Sequence, residues 1–359
     1  MQSRQKLAHL VLVEGWSVSQ ACRELGVSRP TGHLWLARAR EFGIAGMAES
    51  SRRPTLIPRS TSSEIEEALL EFKAKRPRWG AKKILAKLWP DGAPICLRTA
   101  DRILKRHGLV GKASPPLQEP CRFEREFPNE LWQMDFKGVG RSGYEAFSVL
   151  DDCTRFCLCF SPLPNLRSET TFEALWGLFG EYGMPQRLLS DNGAPFNSVK
   201  SQGPTPLQAK LWLLGIQTSH GRPRHPQTQG KVERFHLTAE QEIGPVLRLA
   251  HMETIQAAMY EFRQDYNWER PHESIQLKVP GSRYAPSNSK RPSKMPKHEL
   301  PEGALSRKVD ASGKIYYKMQ RYRAGSGLAG EYVELREEQE GLAMFFAGVR
   351  IGSLTQQEV

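Results

Sequence analysis

Three acidic residues occupy positions where a carboxylate invites chemistry. In "LWQMDFKG", Trp132, Met134 and Phe136 alternate with Gln133 and Asp135, so a strand here carries Asp135 on the side opposite its apolar face. "LLSDNGAPF" ends a short apolar run in Asp191, with a turn following at Gly193. In "HPQTQGKVERFH", Glu233 falls in the first two turns of a helix that starts after Pro226, flanked by Lys231, Arg234 and His236. Carboxylates from two strands and a helix can converge above the carboxyl ends of a sheet, where ligand sites of open α/β folds tend to lie. Converging carboxylates repel and need a compensating cation, and hard oxygen donors with few histidines nearby favour Mg²⁺ or Mn²⁺ over zinc. Two such ions bridged by a shared aspartate hold both the attacking and the leaving oxygen of an in-line phosphoryl displacement. Taken singly, each acid has a plainer duty: Asp191 as a turn former, Glu233 as a helix-dipole partner, Asp135 as a surface carboxylate. All three plain duties at once are harder to sustain.

The elements that must carry these acids form a mixed α/β layer. From Asn129, "ELWQMDFKGV", "YEAFSVLDD" and "TRFCLCFSPL" read as a three-strand antiparallel meander. "SETTFEALWGLFGEYG" then reads as an amphipathic helix capped by Ser168 and stopped at Gly183, and "QRLLSD" as a further strand. A helix around Leu207 to Leu214, a short strand "IQTSH" and two long helices from about Gln227 and Met252 complete the pattern. Asp151 and Asp152 in "SVLDDCTRF" compete for the role of first ligand; strand placement favours Asp135, since the pair falls at a hairpin turn.

Ahead of this core, residues 17–40 read as helix, tight turn, helix, with Ser17 and Gln20 as a capping box, Gly26 as a stop and Ser28 as the second cap. In a helix-turn-helix the second helix enters the major groove by its early residues, here Arg29, Thr31 and Gly32, with Arg38 and Arg40 further along towards phosphate. An ordinary helical hairpin has the same punctuation. A polar linker leads to a second helical unit from about Ser63 to Gly108, where Lys82, Lys83, Lys87, Arg98, Arg102, Lys105 and Arg106 crowd two helices and suit phosphate contact, or form a solvated charged face. Beyond Pro301, short alternating strands suggest a small β-barrel of about five strands. We therefore expect a multidomain chain: a helix-turn-helix domain at 1–50, a second helix-turn-helix or winged-helix domain at 60–112, an α/β core at 125–290 and a small C-terminal β-barrel at 301–359.

Charge points to the partner. The 359 residues hold 51 Lys and Arg against 39 Asp and Glu, a net of +12, which suits a polyanion. Residues 1–128 contain 23 basic and 13 acidic residues, so +10 of the +12 lies in the first third. No apolar stretch approaches the length that crosses a bilayer, so a soluble, unexported protein is expected. The six cysteines form no C-x-x-C pair, and Cys153, Cys157 and Cys159 read as buried reduced thiols rather than a metal cluster.

"WQMDFKG", "LLSDNGAPF" and "HPQTQGKVERFH" resemble, in order, the three catalytic motifs of DDE transposases with a retroviral-integrase-like core, especially those of bacterial insertion sequences. "YNWERPHESIQLKVPGSRYAP", residues 266–286, is similar to the segment that follows the core in those proteins. The resemblance implies an RNase H-like core and a transposase that binds the terminal inverted repeats of its element. It implies DNA cleavage and strand transfer into target DNA, with two Mg²⁺ or Mn²⁺ ions. Carried over to this chain, it makes Asp135 the bridging metal ligand, with Asp191 on one ion and Glu233 on the other. It also puts Lys231 and Arg234 against DNA beside the site, and gives Gly230 the part of admitting a close backbone approach. It implies a homodimer or higher oligomer on double-stranded DNA, and a cytoplasmic bacterial protein, nucleoid-associated when bound. The stretch of 41 residues between Asp191 and Glu233 is longer than the family commonly shows, and "SVKSQGPTP", residues 198–206, looks like the insertion. The alternatives are an RNase H-like nuclease or resolvase that hydrolyses without joining, and a catalytically inactive DNA-binding regulator.

Overall fold

The computed structural model describes residues 3–44, 60–110, 124–138, 143–191, 193–196, 203–221, 230–248, 251–339 and 341–354. The chain divides into two compact units, Met1–Thr61 and Ser62–Val359. The polar linker between the two helical units falls largely outside the described residues.

The first unit holds α1 (Ser3–Leu12), α2 (Val18–Glu24) and α3 (Arg29–Phe42). The expected capping box forms: the Ser17 hydroxyl accepts from the Gln20 N–H while the Gln20 side chain accepts from the Ser17 N–H, a pairing that contributes about 1 kcal/mol. Ser28 caps α3, and Pro30 sits in its first turn, where a missing N–H costs nothing. Leu7 and Leu10 of α1, a helix the periodicity did not announce, close a core with Ala21, Cys22 and Leu36.

The second unit opens with α4 (Ser63–Lys75), α5 (Ala81–Leu88) and α6 (Leu97–Arg106). Leu69, Trp79, Ile84, Leu85, Ile103 and Leu104 are buried between them.

A five-stranded sheet follows, built from β1 (Trp132–Gly138), β2 (Glu145–Asp151), β3 (Cys157–Leu163), β4 (Arg187–Ser190) and β5 (Gln217–His220). The strand order is β3-β2-β1-β4-β5. The expected meander pairs antiparallel, and β4 and β5 add in parallel on the far side of β1. Period-two alternation then sorts the faces. Trp132, Met134, Phe147 and Val149 pack under α7 (Ser168–Tyr182) and α8 (Pro206–Leu213). Ala146 and Leu150 pack under α9 (Gly230–Leu247) and α10 (Met252–Gln264), against Val232, Phe235, Met259 and Phe262. Side chains such as Phe147 and Phe235 are almost wholly buried, and truncating one to alanine costs about 3–5 kcal/mol.

The C-terminal strands are β6 (Ser306–Lys308), β7 (Lys314–Tyr317), β8 (Gln320–Arg323), β9 (Tyr332–Glu338), β10 (Gly341–Phe346) and β11 (Val349–Ser353). They do not close into the expected barrel among the described residues. β11-β10-β9-β6 form an open antiparallel sheet, and β7 and β8 pair only with each other. Ile315 is buried in the shared cluster, with Tyr317 and Tyr322 packed against it, so the hairpin covers the sheet by side-chain packing rather than by completing a ladder. No helix among the described residues is long and apolar enough to cross a membrane.

Candidate active site

β1 and β4 run parallel with Trp132 beside Leu188 and Gln133 beside Leu189. The same offset, carried two residues on, sets Asp191 beside Asp135. α9 lies along β1, fixed at three levels. Lys231 is ion-paired with Asp152 and donates to its carbonyl oxygen at 3.1 Å. His236 Nε2 meets the Ser148 hydroxyl at 2.7 Å, and its Nδ1 stands 3.6 Å from Asp135 Oδ2. Lys137 Nζ meets Glu240 Oε2 at 3.0 Å. Glu233 falls between the first two levels, one turn before His236.

The electrostatics of Asp135 follow from this packing. Burial first, then the Asp191 charge and to a smaller extent the Glu233 charge, raise its carboxyl to about 7 against the opposing Phe136 N–H. His236 gives little relief, since burial first and the Lys137 charge second lower its own pKa to about 4. Asp191 is steadied locally: its Oδ1 accepts from the Gly193 N–H at 2.9 Å, and a Cβ on Gly193 would lie 3.0 Å from its Oδ2, so glycine leaves room for the carboxylate. Glu233 is exposed, with no hydrogen bond or ion pair to the described residues. Three carboxylates sharing one field without a matched cation fit a divalent ion by charge and by donor type. Among the described residues, however, no three acidic, histidine or cysteine side chains stand close enough together to hold one.

Asp151 and Asp152 are placed otherwise. Asp151 accepts from the Asn129 N–H at 2.7 Å and from the Thr154 N–H and hydroxyl at 2.8 and 2.7 Å. Asp152 accepts from the Arg125 N–H and the Gln133 side-chain amide, both at 2.7 Å, and pairs with Lys231. Both are wholly buried with their oxygens engaged, which makes them a joint between β2, β1 and α9.

The expected DNA-contact residues divide. Arg29 and Arg38 lie exposed on α3, and Thr31 is half-buried, its hydroxyl 2.8 Å from that of Ser28. Gly32 is a correction: it is buried, and a Cβ there would lie 2.2 Å from Cys22 Sγ, so it lets α2 and α3 touch and presents nothing to a base. Exposed His33 and Leu34 occupy the outer surface instead. Arg98, Arg102 and Lys105 line one exposed face of α6, and Arg234 is exposed on α9. Lys82 and Lys87 pair with Glu273 and Glu269 at 3.2 and 2.5 Å. Lys83 is largely buried, and desolvation, with Arg270 adding, lowers its pKa to about 8. Lys231 also faces inward, and Gly230 has no neighbour within 4 Å of an added Cβ. Sequence reasoning missed the anchoring roles of His236 and Gln133, although His236 stands three residues after Glu233 and so shares its helix face. A concavity of about 620 Å³, lined by Asn129, Arg187, Gln217 and Ser287, opens at the starting ends of β4 and β5, away from Asp191.

Family models match this same region. The Integrase core domain matches residues 125–226 and, in a second model, 214–280. The chain carries an integrase core. Homeodomain-like domain models match residues 1–48 and 31–104 ahead of it. The chain is 22% identical over 257 residues to the uncharacterized 31.7 kDa protein of insertion element IS407 from Burkholderia multivorans, covering 68% of this chain and 89% of that one. It is 27% identical over 159 residues to the Pol-related polyprotein of mouse intracisternal A-particle MIA14, covering 39% of this chain but only 17% of the polyprotein. The catalytic core domain of BIV integrase matches at 23% identity with a TM-score of 0.34, covering 43% of this chain and 92% of that one. An integrase core behind homeodomain-like helices is the make-up of an insertion-sequence transposase, in line with the sequence motifs.

Proposed function

We propose that this integrase-core protein is a DNA transposase that cleaves the ends of its element and joins them to target DNA. The observation that carries the reading is Asp135: a half-buried carboxylate on β1, held against the charges of Asp191 and Glu233. Asp135, Asp191 and Glu233 are the residues that would hold Mg²⁺ or Mn²⁺. Bound there, the ions would supply charge stabilisation to the attacking and leaving oxygens of an in-line displacement at phosphorus.

The chain's own groups do the rest. The Phe136 N–H, 2.9 Å from Asp135 Oδ1, orients the Asp135 carboxylate, and the His236 ring packs 3.6 Å from its other oxygen. The Gly193 N–H does the same for Asp191. The apolar floor of Trp132, Met134 and Phe147 behind β1 keeps the strand from shifting under charge. Arg234, exposed on the outer side of α9, is positioned to meet a phosphate beside the site. Arg98, Arg102 and Lys105 on α6, and Arg29 and Arg38 on α3, supply the grip on double-stranded DNA at the terminal inverted repeats. Water acts first: its oxygen bonds to phosphorus at the element end while the bridging 3′-oxygen leaves and takes a proton, giving a free 3′-hydroxyl. That hydroxyl gives up its proton and bonds to a target phosphorus, displacing the target strand's own 3′-oxygen, which takes a proton in turn. Joining two ends calls for at least a dimer on the DNA.

The test is incubation of the protein with labelled duplex carrying the DNA that flanks its coding region, with and without Mg²⁺. Wild type should yield nicked and then joined product, and Asp135→Asn and Asp191→Asn neither. Nicked product without joining would mark a nuclease or resolvase. Equal product from wild type and Asp191→Asn would remove that residue from the machinery, and DNA binding with no metal-dependent cutting would leave a regulator.

A further inference from the structure

α8 belongs to two hydrophobic clusters at once. Leu207 and Leu211 are buried with Phe172, Leu175 and Phe179 over the sheet. Ala209, with Trp212 and Leu213 beside it, is buried with Leu328, in the helical turn Ser326–Leu328 between β8 and β9, and with Val333 and Phe346 of the C-terminal strands. The contact is closest where it is made by glycines. A Cβ on Gly327 would stand 2.4 Å from the Pro204 carbonyl oxygen and 2.4 Å from the Thr205 carbonyl carbon. One on Gly203 would stand 2.6 Å from the Gly325 Cα. These neighbours are backbone atoms and cannot swing aside, so the two segments seat against each other with little room to slide.

The seat fixes Thr205, the cap of α8. The Thr205 hydroxyl accepts from the Gln208 N–H at 3.2 Å, and Gln208 Oε1 accepts from the Thr205 N–H at 2.8 Å. With its oxygen so engaged, Gln208 turns its amide nitrogen onto His220 Nε2, 2.9 Å away. An amide nitrogen only donates, so Nε2 is the lone-pair side of the ring and the proton sits on Nδ1. That Nδ1 lies 3.2 Å from the Asp191 carbonyl oxygen and 3.1 Å from Ser190 Oγ. A tautomer chosen at one edge of the ring thus supplies, at the other, the donor that holds the Asp191 backbone.

We propose that the C-terminal strands position Asp191 through α8, with Gln208 and His220 as the positioning residues. The proposal rests on the reading of Asp191 as a metal-holding carboxylate and deepens it. It also gives the long stretch between Asp191 and Glu233 a use: the end of that insertion, Gly203 to Thr205, is the part the C-terminal glycines seat.

Gln208→Glu separates this relay from simple stability. It keeps an oxygen for the Thr205 N–H but puts a second oxygen where His220 Nε2 needs a donor. Imidazole ¹⁵N spectra of the full chain, with His220 assigned by its loss in His220→Asn, should show the Nδ1–H tautomer in wild type. In Gln208→Glu the proton should move to Nε2 with the melting temperature unchanged, and DNA cleavage at fixed Mg²⁺ should fall about tenfold or more. Gly327→Ala reads the share of the C-terminal strands and should shift the same His220 resonances. A wild-type tautomer in Gln208→Glu overturns the relay, and unmoved resonances in a folded Gly327→Ala remove the C-terminal strands from it. A switched tautomer with unchanged cleavage overturns its hold on Asp191. A wild-type chain that shows the tautomer yet cuts no DNA overturns the proposed function and leaves the relay standing.

Discussion

Asp152, just past β2, has its oxygens occupied by the Arg125 N–H, the Gln133 amide and the Lys231 ammonium. Asp135, on β1 and facing the same helix, has one backbone N–H at 2.9 Å, a histidine at 3.6 Å that stays neutral, and two like charges in its field. Two acids under one helix, one buried and one half-buried, thus meet opposite surroundings. A carboxylate whose acceptors are all filled from within the chain ties elements together and has nothing left to offer. One whose nearest charges are of its own sign costs the fold something, and keeps its oxygens for a ligand.

The comparison breaks most visibly at Asp152. Asp152→Ala leaves Lys231 and two donors facing a buried gap, so denaturant unfolding should show a loss of about 3–5 kcal/mol. A loss near zero would make the two acids alike. Asp135→Asn should go the other way in metal-free protein. The folded carboxyl titrates at about 7 and the unfolded one near the ordinary aspartate value of 3.8, so between those pH values the folded state binds more protons. The penalty is absent below the unfolded value, grows as pH rises through the window, and is constant above it. At pH 8 the variant should therefore be more stable than wild type by roughly 2–4 kcal/mol, with the gain gone by about pH 4. Added Mg²⁺ should stabilise wild type and leave the variant unmoved. Gln133→Leu removes one of three donors to Asp152 and should cost about 1–2 kcal/mol in the same unfolding measurement. Lys82→Ala should change stability by less than about 1 kcal/mol, because its pair with Glu273 is exposed at both ends. If Lys82 leaves that pair for phosphate on DNA, the variant should instead lower the salt slope of DNA binding by about one unit.

Much of this contrast was legible in the sequence, for identifiable reasons. The alternation of Trp132, Met134 and Phe136 placed Asp135 on the far face of β1, and strand periodicity is a local property. The antiparallel meander and the Ser17–Gln20 capping box were legible for the same reason. The partners of Asp152 were not, because Arg125, Gln133 and Lys231 come from three separate segments and meet only in the folded chain. Lysine side chains misled in a related way: Lys82, Lys83 and Lys87 read as a phosphate face, yet each is turned to the segment after the core, where Glu269, Arg270 and Glu273 lie. Gly32 read as a groove residue because its position in α3 was right; its contact with Cys22 belongs to packing that no spacing rule reveals. The barrel failed at the same level, since alternating strands specify faces but not which edges pair.

The account stands on Asp135 being a carboxylate held at odds with its surroundings until a cation arrives. Its side-chain carboxyl, followed by ¹³C NMR in metal-free protein from pH 3 to 9, should titrate with a midpoint near 7. Addition of Mg²⁺ should move that midpoint down by several pH units. A midpoint near 4 in the metal-free protein, indifferent to Mg²⁺, would contradict it.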